Sequence, residues 1–288
     1  LRFQVYSDSK VISAQLGKLT AILLSDEGES KDDPNRVNPN LEKNISAKQR
    51  TELVCDAKSV IEYCPTYAKE VVCSLAKLNG IAVGVIATEG DYISLEGLEK
   101  ATTFIDKLDA YNLPLITLVD SLGVNSTLQQ ELSGFAKRTN ALMKAVAVSS
   151  IPKIGVAVGN AVGYAYSALM SKSIGFDYTL ATSNAVVAPV GMQVSKIIAN
   201  DQIKALGKTA KELAQNDGLD RDALAKAMAY FEKVKANIAI KGKSEEEVYA
   251  KMQSSPVVAA KDGYIDNVIE ATNLRPYLAS ALMMVLGL

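Results

Sequence analysis

Residues 154–170 carry no charged side chain, lie between Lys153 and Lys172, and place glycines at 155, 159 and 163. A run this apolar must be buried, in a protein core or in a bilayer. Seventeen residues fall short of the roughly 20 that span a hydrocarbon layer, and the glycines divide the run. The pattern predicts a strand over Lys153–Val158, a glycine turn, and a helix over Ala161–Ser171. No transmembrane segment is expected.

The whole 288-residue chain contains no histidine. That removes the usual proton shuttle near neutral pH and excludes Ser–His–Asp and Cys–His nucleophiles. Asp32, Asp33 and Pro34 read as a turn, and no metal site is assigned. A net charge of −1 leaves no basic field for nucleic acid or an anionic membrane. Cys55, Cys64 and Cys73, odd in number and without a Cys-x-x-Cys, read as buried thiols of a reducing, cytoplasmic compartment. Leu1 opens the chain without Met or a basic-then-apolar leader, which reads as a piece of a longer coding sequence or a processed one.

The pattern divides the chain into an N-terminal arm and connector, 1–45, and one domain, 46–288. In the arm, Val11, Ile12, Leu16, Leu19, Leu23 and Leu24 recur at helical spacing, and 25–44 is a polar, proline-containing connector. Residues 47–63 read as a helix. Cys73–Leu78, Asn79-Gly80 and Ile81–Ala87 form a hairpin with a type I′ turn. Ser94 caps a helix to about Tyr111 that buries Leu95, Leu98, Phe104, Ile105 and Leu108. Pro114–Val119 is a buried strand ended by Asp120, and Ser126 with Gln129 reads as a capping box for a helix through Ala147. Strands follow at Ile174–Leu180 and Ala185–Val190, a helix starts over Val194–Asn200, and Lys208–Lys211 and Glu245–Glu247 are solvated faces. Ala259–Asp266 reads as a turn into a short strand, and Arg275–Val285 as a final helix. Alternation of buried strands and helices gives an α/β class with largely parallel pairing and a helical C-terminal region.

Glycines spaced by four do not match the Gly-x-Gly-x-x-Gly of dinucleotide sites. They have two physical uses. Small residues let a helix lie close on a strand. Alternatively, the free N–H groups of the helix start, around Gly163 to Ala165, hold a developing oxyanion. The strand ending at Asp120 also leads into a glycine-containing loop, Ser121–Ser126, so two strand-to-helix turns side by side would make a cleft.

The hairpin Cys73–Thr88, with Ala-x-x-Asn-Gly-x-x-Val-Gly at Ala76–Gly84, resembles that of the biotin-dependent acyl-CoA carboxyltransferases and decarboxylases. The likeness continues through Lys100-Ala101, Asp109–Asp120, Gln130-Glu131, Pro152-Lys153, Gly163 with Ala165-Tyr166, Ser171-Lys172 and Ala259–Asp266. The resemblance implies a crotonase-like (ClpP/crotonase) ββα spiral, and within the family this chain resembles the C-terminal, biotin-side domain. It further implies that carboxybiotin, carried on a biotin carboxyl carrier protein, has its ureido oxygen held by backbone amides at Gly163, Tyr164 and Ala165. Gly123, Val124, Tyr166 and Ser167 would border the cofactor. The substrate would be an acyl-CoA, held by an acyl-CoA-binding N-terminal carboxyltransferase domain or subunit, in a homo-oligomer.

Several positions depart from the family pattern. Gly-Gly-Ala-Tyr-Asp is Gly163-Tyr164-Ala165-Tyr166-Ser167 here, so the acidic residue tied to acyl selection is Ser167. Asp-x-Pro-Gly-Phe-x-Pro-Gly is Asp120–Thr127, without either proline, and a matching glutamate is Val186. Two alternatives stay open: a non-enzymatic scaffold subunit, and a crotonase-type hydratase or isomerase drawing on Glu89, Asp91 or Glu131.

Overall fold

The computed structural model describes residues 9–23, 32–191 and 253–288, with isolated positions between 194 and 232. The expected helix over Val194–Asn200 and the stretches Lys208–Lys211 and Glu245–Glu247 lie largely outside the described residues.

The fold grows from the hairpin of β2 (Val71–Leu78) and β3 (Ile81–Thr88). Asn79 (φ 52°) and Gly80 (φ 79°) make the left-handed turn expected of Asn-Gly, and Leu78 pairs with Ile81. To one side β1 (Ile61–Tyr63) adds antiparallel to β2. To the other, β4 (Leu115–Ser121), β5 (Lys153–Val162), β6 (Tyr178–Thr182) and β8 (Asn267–Ile269) follow in parallel. The sheet order is β1-β2-β3-β4-β5-β6-β8, and β7 (Val186–Ala188) pairs with the far half of β5.

Parallel strands need both faces covered, because crossover helices lie on them. One face packs under α3 (Leu95–Ala110), α5 (Phe135–Val148) and α6 (Tyr164–Leu169), with Phe104, Leu108, Leu142 and Leu169 in its core. The other packs under α2 (Ala47–Val54) and the last helix, α8 (Leu274–Leu286), around Val83, Ile116, Val156 and Leu278. The Ser94 side chain caps α3 on the Gly97 N–H, and all five apolar residues expected on its inner face are buried. The α/β class with parallel pairing follows from the sequence pattern.

Several boundaries differ from the sequence reading. The helix expected over 47–63 stops at Val54, because the Asp56 carboxylate turns to accept the Asn79 and Gly80 N–H groups, and 61–63 pairs with β2. The capping box is Thr127 with Gln130, one residue later than expected. It opens only a short α4 (Leu128–Leu132), because left-handed Gly134 (φ 91°) breaks the helix before α5. Ile174 ends a 3₁₀ turn at left-handed Gly175, so the strand starts at Tyr178. Residues 259–261, expected to begin a turn, instead close helix α7 (Pro256–Lys261), capped by Ser255 with proline at its first position. In α1 (Ser9–Leu23), Leu16 is exposed, whereas Leu19 and Leu23 line a cavity of about 520 Å³ with Phe104 and Leu108.

The connector is tied to the domain through Arg275, 1% exposed at its side chain. Its guanidinium donates to the Asp33 carbonyl (3.0 Å), the Val54 carbonyl (2.7 Å) and the Asp56 carboxylate (2.7 Å), with Asp32 at 3.6 Å. One side chain therefore joins the connector, the end of α2, the hairpin turn and α8. Replacing Arg275 by Met takes the cation away from the buried Asp56 carboxylate and should cost about 3–5 kcal/mol of stability, read by denaturant unfolding; a loss under 1 kcal/mol would contradict this role.

Asp266 accepts from Thr179 N–H (2.8 Å) and hydroxyl (3.0 Å) and pairs with Lys172. Burial works to raise its pKa, but Lys172 and Thr179 together hold it below the ordinary carboxylate value. A depressed folded-state pKa stabilises at pH above the unfolded value, and the gain disappears as pH falls through the depressed one. The melting temperature should therefore be level from pH 7 to 5 and fall below about pH 4, less steeply in a Lys172→Ala variant. Equal slopes in the two proteins would refute the assignment.

Candidate active site

Strand β5 does not end at Val158. Val119 pairs with Ala157 and Ser121 with Ala161, so Val158, Gly159 and Asn160 stand opposite Asp120 alone. Such a bulge bends the strand and re-aims the residues beyond it. The Asp120 carboxylate fills the bend: it accepts the Asn160 N–H at 2.8 Å, and a side chain at Gly159 would meet it at 2.2 Å. Beyond the bulge β5 leaves β6 and pairs with β7, so the expected helix start at Ala161 is replaced by strand through Val162.

The turn after Val162 is Gly163, with φ 54° and ψ −116°, a backbone conformation that side chains disfavour. Its N–H donates to the Ala188 carbonyl at 2.9 Å. Gly163 therefore supplies the bend and no free donor, a correction to the sequence reading. Helix α6 starts at Tyr164, with no side-chain cap, and its first hydrogen bond runs from the Ser167 N–H to the Gly163 carbonyl. Among the described residues no acceptor sits on the N–H of Tyr164 or Ala165. Ala165 is fully buried, and buried backbone donors are almost always paired. As the first two N–H groups of α6, these amides have no intrahelical acceptor.

The loop after β4 lies against that turn. A side chain at Gly123 (φ 117°) would come within 3.5 Å of the Val162 carbonyl and 3.9 Å of the Tyr164 nitrogen. The loop is fixed from both ends: Ile93 N–H donates to the Gly123 carbonyl (2.8 Å), Leu122 N–H to the Asp91 carbonyl (2.7 Å), and Val124 bridges Ile93. Gly123 is thus brought beside the Tyr164 nitrogen, and Val124 is anchored on Ile93. Tyr164 donates its hydroxyl to the Thr139 carbonyl on α5, and burial raises its pKa. Tyr166 donates to the Tyr264 carbonyl (3.0 Å), and Ser167 to the Gly163 carbonyl (3.0 Å). These last two brace α6 and the turn.

The sequence-matched region extends well beyond this site: the carboxyl transferase domain family matches residues 23–286. The chain belongs to the carboxyl transferase family. Among curated relatives, the propionyl-CoA carboxylase beta chain of Saccharopolyspora erythraea is 31% identical over 238 residues, covering 81% of this chain and 39% of that protein. The methylmalonyl-CoA carboxyltransferase 12S subunit of Propionibacterium freudenreichii subsp. shermanii is 28% identical over 236 residues, covering 80% and 40%. The chain thus spans about two-fifths of the length of these relatives. A solved transcarboxylase 12S structure superposes with a TM-score of 0.77 at 24% identity, covering 97% of this chain and 52% of the other. The geranyl-CoA carboxylase beta subunit of P. aeruginosa gives 0.64 at 18% identity, covering 96% and 49%. The fold is crotonase-like.

Sequence reasoning missed Asp120 as a shaping residue, together with Arg50 and Thr88 around it. A lone acidic residue closing an apolar strand was the available signal. In this carboxyl transferase domain Arg50 is buried, 4.0 Å from Asp120, and its Nη1 has no partner among the described residues. Burial pulls its pKa down against the opposing pull of Asp120 and Glu89. Cys55 and Cys73 are fully buried, and burial pushes both thiols up to about 12, whereas Cys64 is half-buried rather than enclosed. Among the described residues no helix is long and apolar enough to cross a membrane. Cys55 and Cys73 should resist iodoacetamide at pH 8 in the folded protein and react only in denaturant; rapid native labelling, read by mass spectrometry, would contradict their enclosure.

Proposed function

We propose that this chain supplies the biotin side of a carboxyltransferase site, transferring a carboxyl group between carboxybiotin and an acyl-CoA at an interface with an acyl-CoA-binding domain or subunit. The observation that carries the reading is the pair of amides at Tyr164 and Ala165, without an acceptor among the described residues, with side-chain-free Gly123 beside the Tyr164 nitrogen. Membership of the carboxyl transferase family supports it. So do the acyl-CoA carboxylase names of the relatives.

When bound, biotin supplies a ureido carbonyl whose oxygen gains negative charge as the carboxyl group departs. Donors already fixed in place stabilise such charge without reorganising. Tyr164 N–H is the donor assigned to the oxygen, because Ala165 is fully buried. Gly123 leaves the approach to Tyr164 open, and Val124 walls it. The partners in this reading are the acyl-CoA-binding half, a biotin carboxyl carrier protein and further copies of the chain.

A hydratase or isomerase needs a cleft carboxylate as acid or base. Glu89 accepts the Ala47 N–H at the start of α2, and Asp91 and Glu131 are exposed, so the three do not form an acid–base pair. The enclosure of Ala165 and the loss of both loop prolines favour one rival, a scaffold without chemistry.

Proline at position 164 deletes the N–H at the first residue of α6, where helices accept proline. In the assembled enzyme Tyr164→Pro should lower kcat by about 10²–10³-fold, whereas Tyr164→Gly, which keeps the N–H, should not. Equal turnover for both variants in a carboxyl-transfer assay would reject the amide reading, and absence of turnover in the intact assembly would favour the scaffold.

A further inference from the structure

We infer that Asp120 is the positioning residue of this site: its carboxylate sets the bulge that places the Tyr164 and Ala165 amides. The inference rests on the amide reading above for its chemical consequence, but its geometry stands independently.

Asp120 is held at three points. Its own N–H donates to the Thr88 hydroxyl at the end of β3 (2.8 Å). Its carboxylate accepts the Asn160 N–H (2.8 Å), with the Asn160 amide group at 3.4 Å. Arg50, reaching down from α2, lies 4.0 Å from the second carboxylate oxygen, with 7% of its own side chain exposed. The near half of β5 therefore stays in register with β4, and the carboxylate holds the extra residues of β5 out of line. Only two residues separate Asn160 from the Gly163 turn.

Gly159 is the complement of this arrangement. Any side chain there would run into the Asp120 carboxyl carbon at 2.3 Å as well as both its oxygens. Acidic and missing side chains thus occupy one volume between them. The carboxylate also stands one residue ahead of Ser121, whose hydroxyl donates to the Gly123 carbonyl (3.1 Å) and accepts the Gly123 N–H (3.2 Å). Both walls of the site, the 163–165 turn and the 121–124 loop, therefore start from Asp120. A misplacement of about 1 Å in a reacting geometry can cost on the order of 10²-fold.

The test compares Asp120→Asn, which keeps an acceptor for the Asn160 N–H, with Asp120→Ala, which keeps none. Backbone amide resonances of Asn160, Tyr164 and Ala165 are read in the full chain, and kcat and KM in the assembled carboxyltransferase. D120A should move all three resonances and lower kcat about 10²-fold at unchanged KM. D120N should leave the Tyr164 and Ala165 resonances in place and rescue kcat. Gly159→Ala presses on the same carboxylate and should move the same resonances, which gives the reading if D120A does not accumulate folded. Unmoved Tyr164 and Ala165 resonances in D120A or G159A would overturn the inference. Moved resonances with full turnover would uphold the positioning by Asp120 and refute the amide chemistry instead.

Discussion

The contact between the Asp120 carboxylate and the empty side of Gly159 decides where β5 changes partners. Without it, β5 would run straight along β4, and the residues after Val158 would stay in the ladder with β6. With it, three residues face one, the strand turns toward β7, and its end meets the loop from β4. The Gly163 bend and the unpaired amides exist because the strand arrives at that angle. Under the proposed function, backbone geometry set by one side chain takes the place of the imidazole that this chain lacks.

A second fixed point lies on the same face of the sheet, under α2 and α8. Arg275 gathers carbonyls and carboxylates from the connector, α2 and the hairpin turn, so chain segments far apart in sequence share one buried cation. Buried ion pairs add little net stability over apolar packing, but breaking one is costly because the remaining charge stays enclosed. Its role is to register α8 and α2 on the face from which Arg50 reaches Asp120.

What the sequence made legible was local. Asn79-Gly80 and the Ser94 cap rest on turn and cap chemistry within a few residues, and both elements appear as expected. The final helix and the buried strand after Pro114 follow from apolar pattern alone. Ser126/Gln129 and Thr127/Gln130 fit the capping motif equally well, so pattern alone could not choose between them. The β5 end was misplaced because Gly159 and Gly163 have the spacing of a helix face, while Asp120, which closes the bulge on the Asn160 N–H and fills the space beside Gly159, lies 40 residues before Asn160 in the chain. Among the expected site residues, Gly123 lies beside the Tyr164 nitrogen, and Val124 is anchored on Ile93. Gly163 contributes shape, and Tyr166 and Ser167 brace the turn, because their hydroxyls are committed to backbone carbonyls. Those commitments depend on tertiary neighbours such as Tyr264, which no local pattern names.

The most direct measurement of the central claim is an experimental structure of this chain in its assembled enzyme with a biotin analogue bound. The ureido oxygen should lie within about 3 Å of the Tyr164 nitrogen, with Gly123 at its side. An oxygen held elsewhere, or a Tyr164 N–H donating to an acceptor of its own chain, would contradict the account.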